Sequence, residues 1–370
     1  MIVSVYPPLE RGILFGAKPD RLEFPMTDER CVLTHLGRGA VWLALKALGV
    51  PKRVAMPAFH CGSEVEAARA LGIKIEFYRV SSDLEVDVDH MTEVARGCDA
   101  LYLISNFGFP TPYEEARSAG KIVIEDVAHG LFSSSPSGRP LGNGADAAIF
   151  CPRKSLGVPD GGALVVSGDI DQPELRAQSR RALASLILNR AALSGFAPIS
   201  AVAGAVLERV SATGRAAEAG TMTETVIGEW NLTEADLRAA AAEPSRLTGR
   251  ALRRADAAAI RERRRENFVA AAEVLADLVQ PAYRALPDGT CPLYVPIRVK
   301  RRDAVMKGLW GRGVRAIEIW PVAHPLLEGY EDLRQVRSEL IALPVHQALS
   351  VERAVEAAKI AASVVSSETE

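Results

Sequence analysis

The chain has 370 residues, 48% of them hydrophobic and 24% charged, the composition of an ordinary globular protein long enough for a large and a small lobe. Lys+Arg number 44 against Asp+Glu 46, so no global positive field exists to attract a polyanion, and nucleic acid is excluded as the main partner. The five cysteines (Cys31, Cys61, Cys98, Cys151 and Cys291) are scattered with no CxxC pair, which points away from a zinc or redox site and toward a reducing cytoplasm.

Met1 to Pro8 lacks the basic and apolar regions of a secretory signal. No apolar run approaches the ~20 residues that span a bilayer, and no membrane association is expected. The first 27 residues, rich in proline and charge, read as an irregular arm packed across a neighbouring surface. Gly37 to Gly49 reads as a buried helix, with glycine where it starts and where it stops. Short apolar runs follow at Val54–Met56, Ile73–Val80, Ala100–Ile104, Ile122–Ile124, Ala147–Phe150 and Ala163–Val166, separated by helical stretches such as Ser63–Leu71. Strands alternating with helices predict a mostly parallel α/β sheet covered on both faces, with ligands at the carboxyl ends of its strands. Glu174–Leu207 reads as long helix broken near Gly195 and Pro198, and Ala212–Thr225 as a polar loop. A helical region spans Thr233 to about Leu278, and its charged run Arg261–Glu266 reads as a solvated face with partial self-pairing. The alternation resumes at Tyr294–Val299, Arg302–Gly311, Ala316–Trp320 and Val351–Val365, which predicts a small α+β lobe. The division is placed at residues 1–235, with the arm and the large domain, and 236–370.

Four segments carry chemistry. In Lys121-Ile-Val-Ile-Glu-Asp126-Val-Ala-His129 a strand delivers a carboxylate at its end, where it can hold the protonated pyridine nitrogen of pyridoxal 5′-phosphate (PLP), or cap the following segment. In Ala147-Ala-Ile-Phe-Cys151-Pro-Arg-Lys154-Ser-Leu-Gly157 a lysine stands between a buried strand and a glycine-bearing turn. A partly desolvated amine there can form a Schiff base. Gly37-Arg38-Gly39 at a helix start can hold a monophosphate; it lacks the rest of a dinucleotide fingerprint, which argues against a Rossmann dehydrogenase. Phe59, in Met56-Pro-Ala-Phe59-His60-Cys61, can stack on a flat ring or belong to the core. Asn106 follows a strand and can touch cofactor or substrate. For His324 and His346, which can approach the cleft from the small lobe, structural roles are favoured.

Taken together and in this order, these residues resemble the DegT-type nucleotide-sugar aminotransferases, a branch of the aspartate-aminotransferase-like (fold type I) PLP enzymes, over roughly residues 30–362. The resemblance implies that Lys154 carries the cofactor and Asp126 holds its pyridine nitrogen. It places His129, usually glutamine, near the ring hydroxyl, Gly37, Arg38 and Gly39 at the phosphate, and Phe59 or His60 as the stacking aromatic. Asn231, in Gly228-Glu-Trp-Asn231, matches an asparagine that reaches the phosphate from a partner subunit, which implies a homodimer with shared active sites. The chain departs from the family at Cys151, in a stretch where a phosphate-binding serine is common, at His129, and at Arg38 in place of a small hydroxyl residue. The activity implied is ping-pong transamination from an amino-acid donor, glutamate or glutamine, to a keto sugar, with Lys154 moving the proton. A PLP lyase or aldolase-type reaction and a non-catalytic binding protein on the same fold are the alternatives.

Overall fold

A computed structural model of the chain describes residues 3–8, 10, 16, 19–172, 230–327 and 329–369. The helix expected over Glu174–Leu207 and the loop over Ala212–Thr225 lie outside the described residues.

Seven strands form the central sheet: β1 (Cys31–Thr34), β2 (Arg53–Pro57), β3 (Lys74–Tyr78), β4 (Ala100–Ile104), β5 (Ile122–Asp126), β6 (Ala147–Phe150) and β7 (Gly162–Val166). Their spatial order is β1-β7-β6-β5-β4-β2-β3. Neighbours from β3 through β6 are parallel, whereas β7 is antiparallel to both β6 and β1. β6 and β7 are buried throughout, as strands covered on both faces must be. Successive residues serve opposite faces: Ile124 packs with Trp42, Leu45 and Leu164 on one side, Val123 with Met91, Leu101 and Leu103 on the other. The mostly parallel α/β sheet expected from the sequence is thus the fold observed.

The helices that matter here are α1 (Gly37–Ala47), α2 (Ser63–Ala70), α3 (Val88–Arg96), α4 (Pro152–Ser155), α5 (Glu234–Ala241), α6 (Arg246–Leu252), α7 (Ala257–Leu275), α8 (Arg302–Gly311), α9 (Glu331–Glu339) and α10 (Val351–Thr369). α1 forms because seven consecutive small or apolar residues, Gly39 to Leu45, are all buried, and Gly49 at φ +79° ends it where a left-handed residue is required. α5 is started by a capping box in which Thr233 and Asp236 satisfy each other's backbone N–H groups. The expected division at residues 235/236 falls inside α5, whose Leu237 and Ala241 join the core of the central sheet beside α1. α6 is likewise part of the large lobe, packing with Phe150, Leu156 and Val158.

The small lobe is a three-stranded antiparallel sheet of β8 (Tyr294–Arg298), β9 (Ile317–Glu318) and β10 (Leu340–Pro344), in the order β9-β10-β8. Its core takes in Phe268, Ala271 and Leu275 of α7 together with Ala357, Ala361 and Val364 of α10. The N-terminal arm closes this lobe: Val3–Ser4 pairs in parallel with Val314–Arg315, and Val3, Val5 and Tyr6 are buried in the same core.

The charged run Arg261–Glu266 is only partly the solvated face expected. Arg263 and Glu266 do pair on the surface at 3.0 Å. Arg264, however, falls in register with Ile260, Asn267, Phe268 and Ala271 on the buried stripe of α7 and is 1% exposed. Its guanidinium donates to Ser155 O (2.8 Å), Pro292 O (3.1 Å), Leu293 O (3.3 Å) and Gln347 Oε1 (2.9 Å), so a fork of five donors replaces the water it loses. Arg337 on α9 is equally buried and does the same at the other side of the lobe contact, donating to Ala58 O, His60 O and Trp320 O at 3.0–3.2 Å and lying 4.9 Å over the Phe59 ring. Replacing Arg337 with methionine keeps the apolar stem but strands three buried carbonyls, and urea unfolding should show a loss of about 2–4 kcal/mol.

Candidate active site

The register of the central sheet sets three residues level at its carboxyl edge: Ile104 pairs with Asp126, and Asp126 with Ile149. All three line one cavity with an empty volume of about 780 Å³. Lys154, on the single turn of α4 that follows β6, enters it from one side, and Gly37 and Arg38 at the start of α1 from another. Residues 126 and 154, distant in the chain, therefore face one space.

Asp126 is buried at the end of its strand, facing the cavity. Its carboxylate accepts from Tyr102 Oη at 2.7 Å and from Ala128 N at 2.9 Å. Burial, and next to it the charge of Glu64, push its pKa up to about 6 despite these two donors and the pull of Lys154. Tyr102, driven far above the ordinary phenol range by burial and by Asp126, stays a phenol and a donor. The carboxylate is thus short of positive charge, which a protonated ring nitrogen would supply.

Lys154 Nζ lies 2.8 Å from His129 Nε2, and His129 Nδ1 accepts from Phe107 N at 3.2 Å. Trp320 stacks on the imidazole with centroids 5.5 Å apart and planes at 29°. Trp320 itself lines the cavity, holds φ +45° and leaves its buried indole N–H without a hydrogen-bond partner among the described residues. Cys151 lies against Gly37: a Cβ on the glycine would sit 3.5 Å from its sulfur, which contacts Gly161 O at 3.5 Å. Asp160, in the turn after Lys154, is fully buried and takes Ser245 N and Oγ at 2.8 Å each, tying that turn to the start of α6.

The other residues singled out in the sequence fall elsewhere. Phe59 and His60 do not reach the cavity wall; Phe59 packs 4.9 Å from Trp320 and His60 stacks on Phe77 at 5.3 Å. The residue that does face the cavity there is Cys61, because the turn into α2 rotates the two aromatic rings into the lobe contact. Burial, then Glu64, hold its thiol protonated. Gly39 is buried behind Gly37 and Arg38, where a Cβ would meet the Ala240 backbone at 2.2 Å; its lack of a side chain serves the approach of α5 to α1. Asn106, at the start of a short 3₁₀ turn after β4, is not among the residues that line the cavity. Asn231 is exposed on the surface. His324 pairs with Glu66 at 3.0 Å and His346 contacts Ser4 O at 3.0 Å, both structural positions. Glu64, Cys61, Arg153 and Trp320 line the cavity without having been singled out. Only Arg153, adjacent to Lys154 in sequence, carried a readable signal.

The donor set suits PLP. One end of the cavity offers the Asp126 carboxylate, the middle an amine beside an imidazole, and the other end the positive N-terminal end of α1, with Arg38 and Arg153 nearby. Val41, Ile104, Ala128 and Ile149 supply apolar walls for a flat ring. Among the described residues no group of three or more His, Cys, Asp or Glu could hold a metal ion.

Residues 24–185 match the model of the DegT/DnrJ/EryC1/StrS aminotransferase family. No curated protein matches the sequence. Among solved structures the fold is similar to that of the sugar aminotransferase CalS13 from Micromonospora echinospora, at 18% identity over 97% of this chain and 99% of that one, with a TM-score of 0.61. It is similar also to DesI in the presence of its TDP-sugar product, at 18% identity over 100% and 94% of the two chains, TM-score 0.61. Spr1654 from Streptococcus pneumoniae, described as a sugar aminotransferase and solved in PMP form, matches at 16% identity over the whole of both chains, TM-score 0.62. At such identities these likenesses speak for the fold, the α/β architecture of DegT-type PLP aminotransferases.

Two measurements follow from the geometry. Asp126 has a folded pKa of about 6 against 3.8 unfolded, so the folded state holds the extra proton between these values and stability falls as pH rises through that window. The loss by pH 7 is about 3 kcal/mol. In urea unfolding of the cofactor-free protein, Asp126→Asn should therefore gain on the wild type by up to that amount between pH 4 and pH 7. Gly39→Ala should cost about 1–3 kcal/mol by overpacking the α1–α5 contact, read in the same assay.

Proposed function

We propose, from the match of residues 24–185 to the model of the DegT/DnrJ/EryC1/StrS aminotransferase family, that this chain is a PLP-dependent aminotransferase that moves an amino group from glutamate or glutamine to a keto sugar, nucleotide-linked, by a ping-pong route. The observation that carries the reading is the one cavity shared by Asp126 and Lys154, an acid at the sheet edge and an amine across from it. The sugar class is supported by the neighbours of this fold, among them DesI, described with a TDP-sugar product.

PLP, when bound, supplies an electrophilic carbonyl and a pyridinium that withdraws electrons from the reacting carbon. Asp126 would hold the ring nitrogen and keep it protonated, and Tyr102 and Ala128 fix the direction of its carboxylate. Gly37 and Arg38 would hold the phosphate. Lys154 would hold the cofactor through Nζ and, with that nitrogen free, would move a proton at the reacting carbon. Trp320 and Ile104 keep water from the reacting face. The working unit is a cytoplasmic homodimer in which Asn231, exposed on this chain, reaches the cofactor phosphate of the other subunit. No helix among the described residues is long and apolar enough to cross a membrane.

The purified chain mixed with PLP should develop an absorbance band near ~420 nm from covalently held cofactor. Glutamate or glutamine should bleach it and release the matching keto acid, and an added nucleotide-linked keto sugar should restore it. Lys154→Ala should lose the band and at least about a thousandfold in turnover. A wild-type protein that never forms the band would instead be the binding protein on this fold, and one that forms it but yields no keto acid would be a lyase or aldolase.

A further inference from the structure

The imidazole of His129 is fixed from three directions. Phe107 N–H donates to Nδ1 at 3.2 Å, the Trp320 ring covers one face, and Nε2 lies 2.8 Å from Lys154 Nζ. The first of these contacts is built into strained backbone. Phe107 holds φ +56°, which costs a residue other than glycine about 1–3 kcal/mol. Gly108 beside it holds φ +93°, where a Cβ would come within 2.5 Å of Cys291 O, and Leu293 N bonds Phe107 O at 2.8 Å. The turn is therefore held from the small-lobe side in the one shape that aims its amide at the histidine.

A backbone amide can only donate, so Nδ1 must present its lone pair, and the proton of the neutral imidazole sits on Nε2. A proton on Nδ1, in the other tautomer or in the imidazolium, would set two N–H groups against each other. Nε2–H then points at Lys154 Nζ. An ammonium has three hydrogens and no lone pair, so at 2.8 Å only the free amine can accept. Asp126 faces the same cavity and favours the ammonium, whereas the directional bond from His129 favours the amine.

We propose that His129 is a positioning residue that keeps Lys154 as a free amine in the cofactor-free protein, through an Nε2–H tautomer locked by the Phe107 amide. Its meaning rests on the reading of Lys154 as the cofactor-bearing lysine; the hydrogen-bond direction does not. An amine held in this way needs no separate base before it meets a carbonyl.

The test uses the full chain without cofactor, labelled with ¹⁵N at histidine. Two-bond ¹H–¹⁵N correlation should show His129, identified among the six histidines by the signals lost in His129→Gln, with Nε2 protonated and Nδ1 bare throughout pH 6–9. A protonated Nδ1 anywhere in that range would overturn the proposal. Independently of any variant, acylation of the wild-type chain read by peptide mass spectrometry should give Lys154 a pH midpoint about two units or more below those of the surface lysines Lys52 and Lys74. A midpoint equal to theirs would equally overturn it. In His129→Gln, whose amide oxygen can accept from an ammonium, the midpoint should rise by about one unit or more, and an unchanged midpoint would assign the effect to burial and sink the role of His129. Failure to form the ~420 nm band with PLP would count against the proposed activity, while the tautomer would stand or fall on the spectra alone.

Discussion

A carboxylate buried at the end of a parallel strand is the constraint around which this molecule is organised. Asp126 cannot be hydrated there, and the two donors that reach it, Tyr102 and Ala128, leave it with a pKa near 6. Tyr102 is itself in the layer below, its carbonyl taking the hydroxyl of Tyr78 at 2.8 Å, so the donor is held by packing that reaches across the sheet from β4 to β3. The cavity lies directly in front of it, with Lys154 among the residues that line the same space.

The second dependence is between the lobes. Two arginines, each 1% exposed, hold them together through backbone carbonyls rather than through carboxylates. Arg264 reaches Ser155, the residue after Lys154, and Arg337 reaches both the turn at Ala58–His60 and the carbonyl of Trp320. The amine and the indole that covers its imidazole partner are thus set by the small lobe. Packing of α7 and α9 on the large lobe transmits directly to the geometry at Nζ, because a charged fork bound to three or four carbonyls tolerates little displacement.

Much of this was legible in the sequence where chemistry follows a strand in register. β5 and β6 are short apolar runs, and ligand-bearing residues of an α/β sheet stand just beyond such runs, which is how residues 126 and 154 were singled out and how both come to one cavity. The same rule failed at β2: Phe59 and His60 follow the strand as expected, yet Cys61 meets the cavity, while Phe59 packs on Trp320 and His60 on Phe77. Arg264 was misread for a related reason, since a charge run has the same letters whether the helix face it occupies meets solvent or another lobe.

By itself, the sequence determined the alternation of strands and helices and the helix start at Gly37, and it pointed to residues 126 and 154, which share one cavity, because hydrophobic period, glycine and proline act over a few residues. Only the tertiary structure decided which side chains share the cavity, that burial and then Glu64 raise the pKa of Asp126, that Trp320 covers His129 and that the amide of a strained turn meets its Nδ1. Those facts depend on strand register and on the docking of one lobe against the other. They join residues from 22 positions apart, as Phe107 and His129 are, to 191, as His129 and Trp320 are, and no local pattern encodes them.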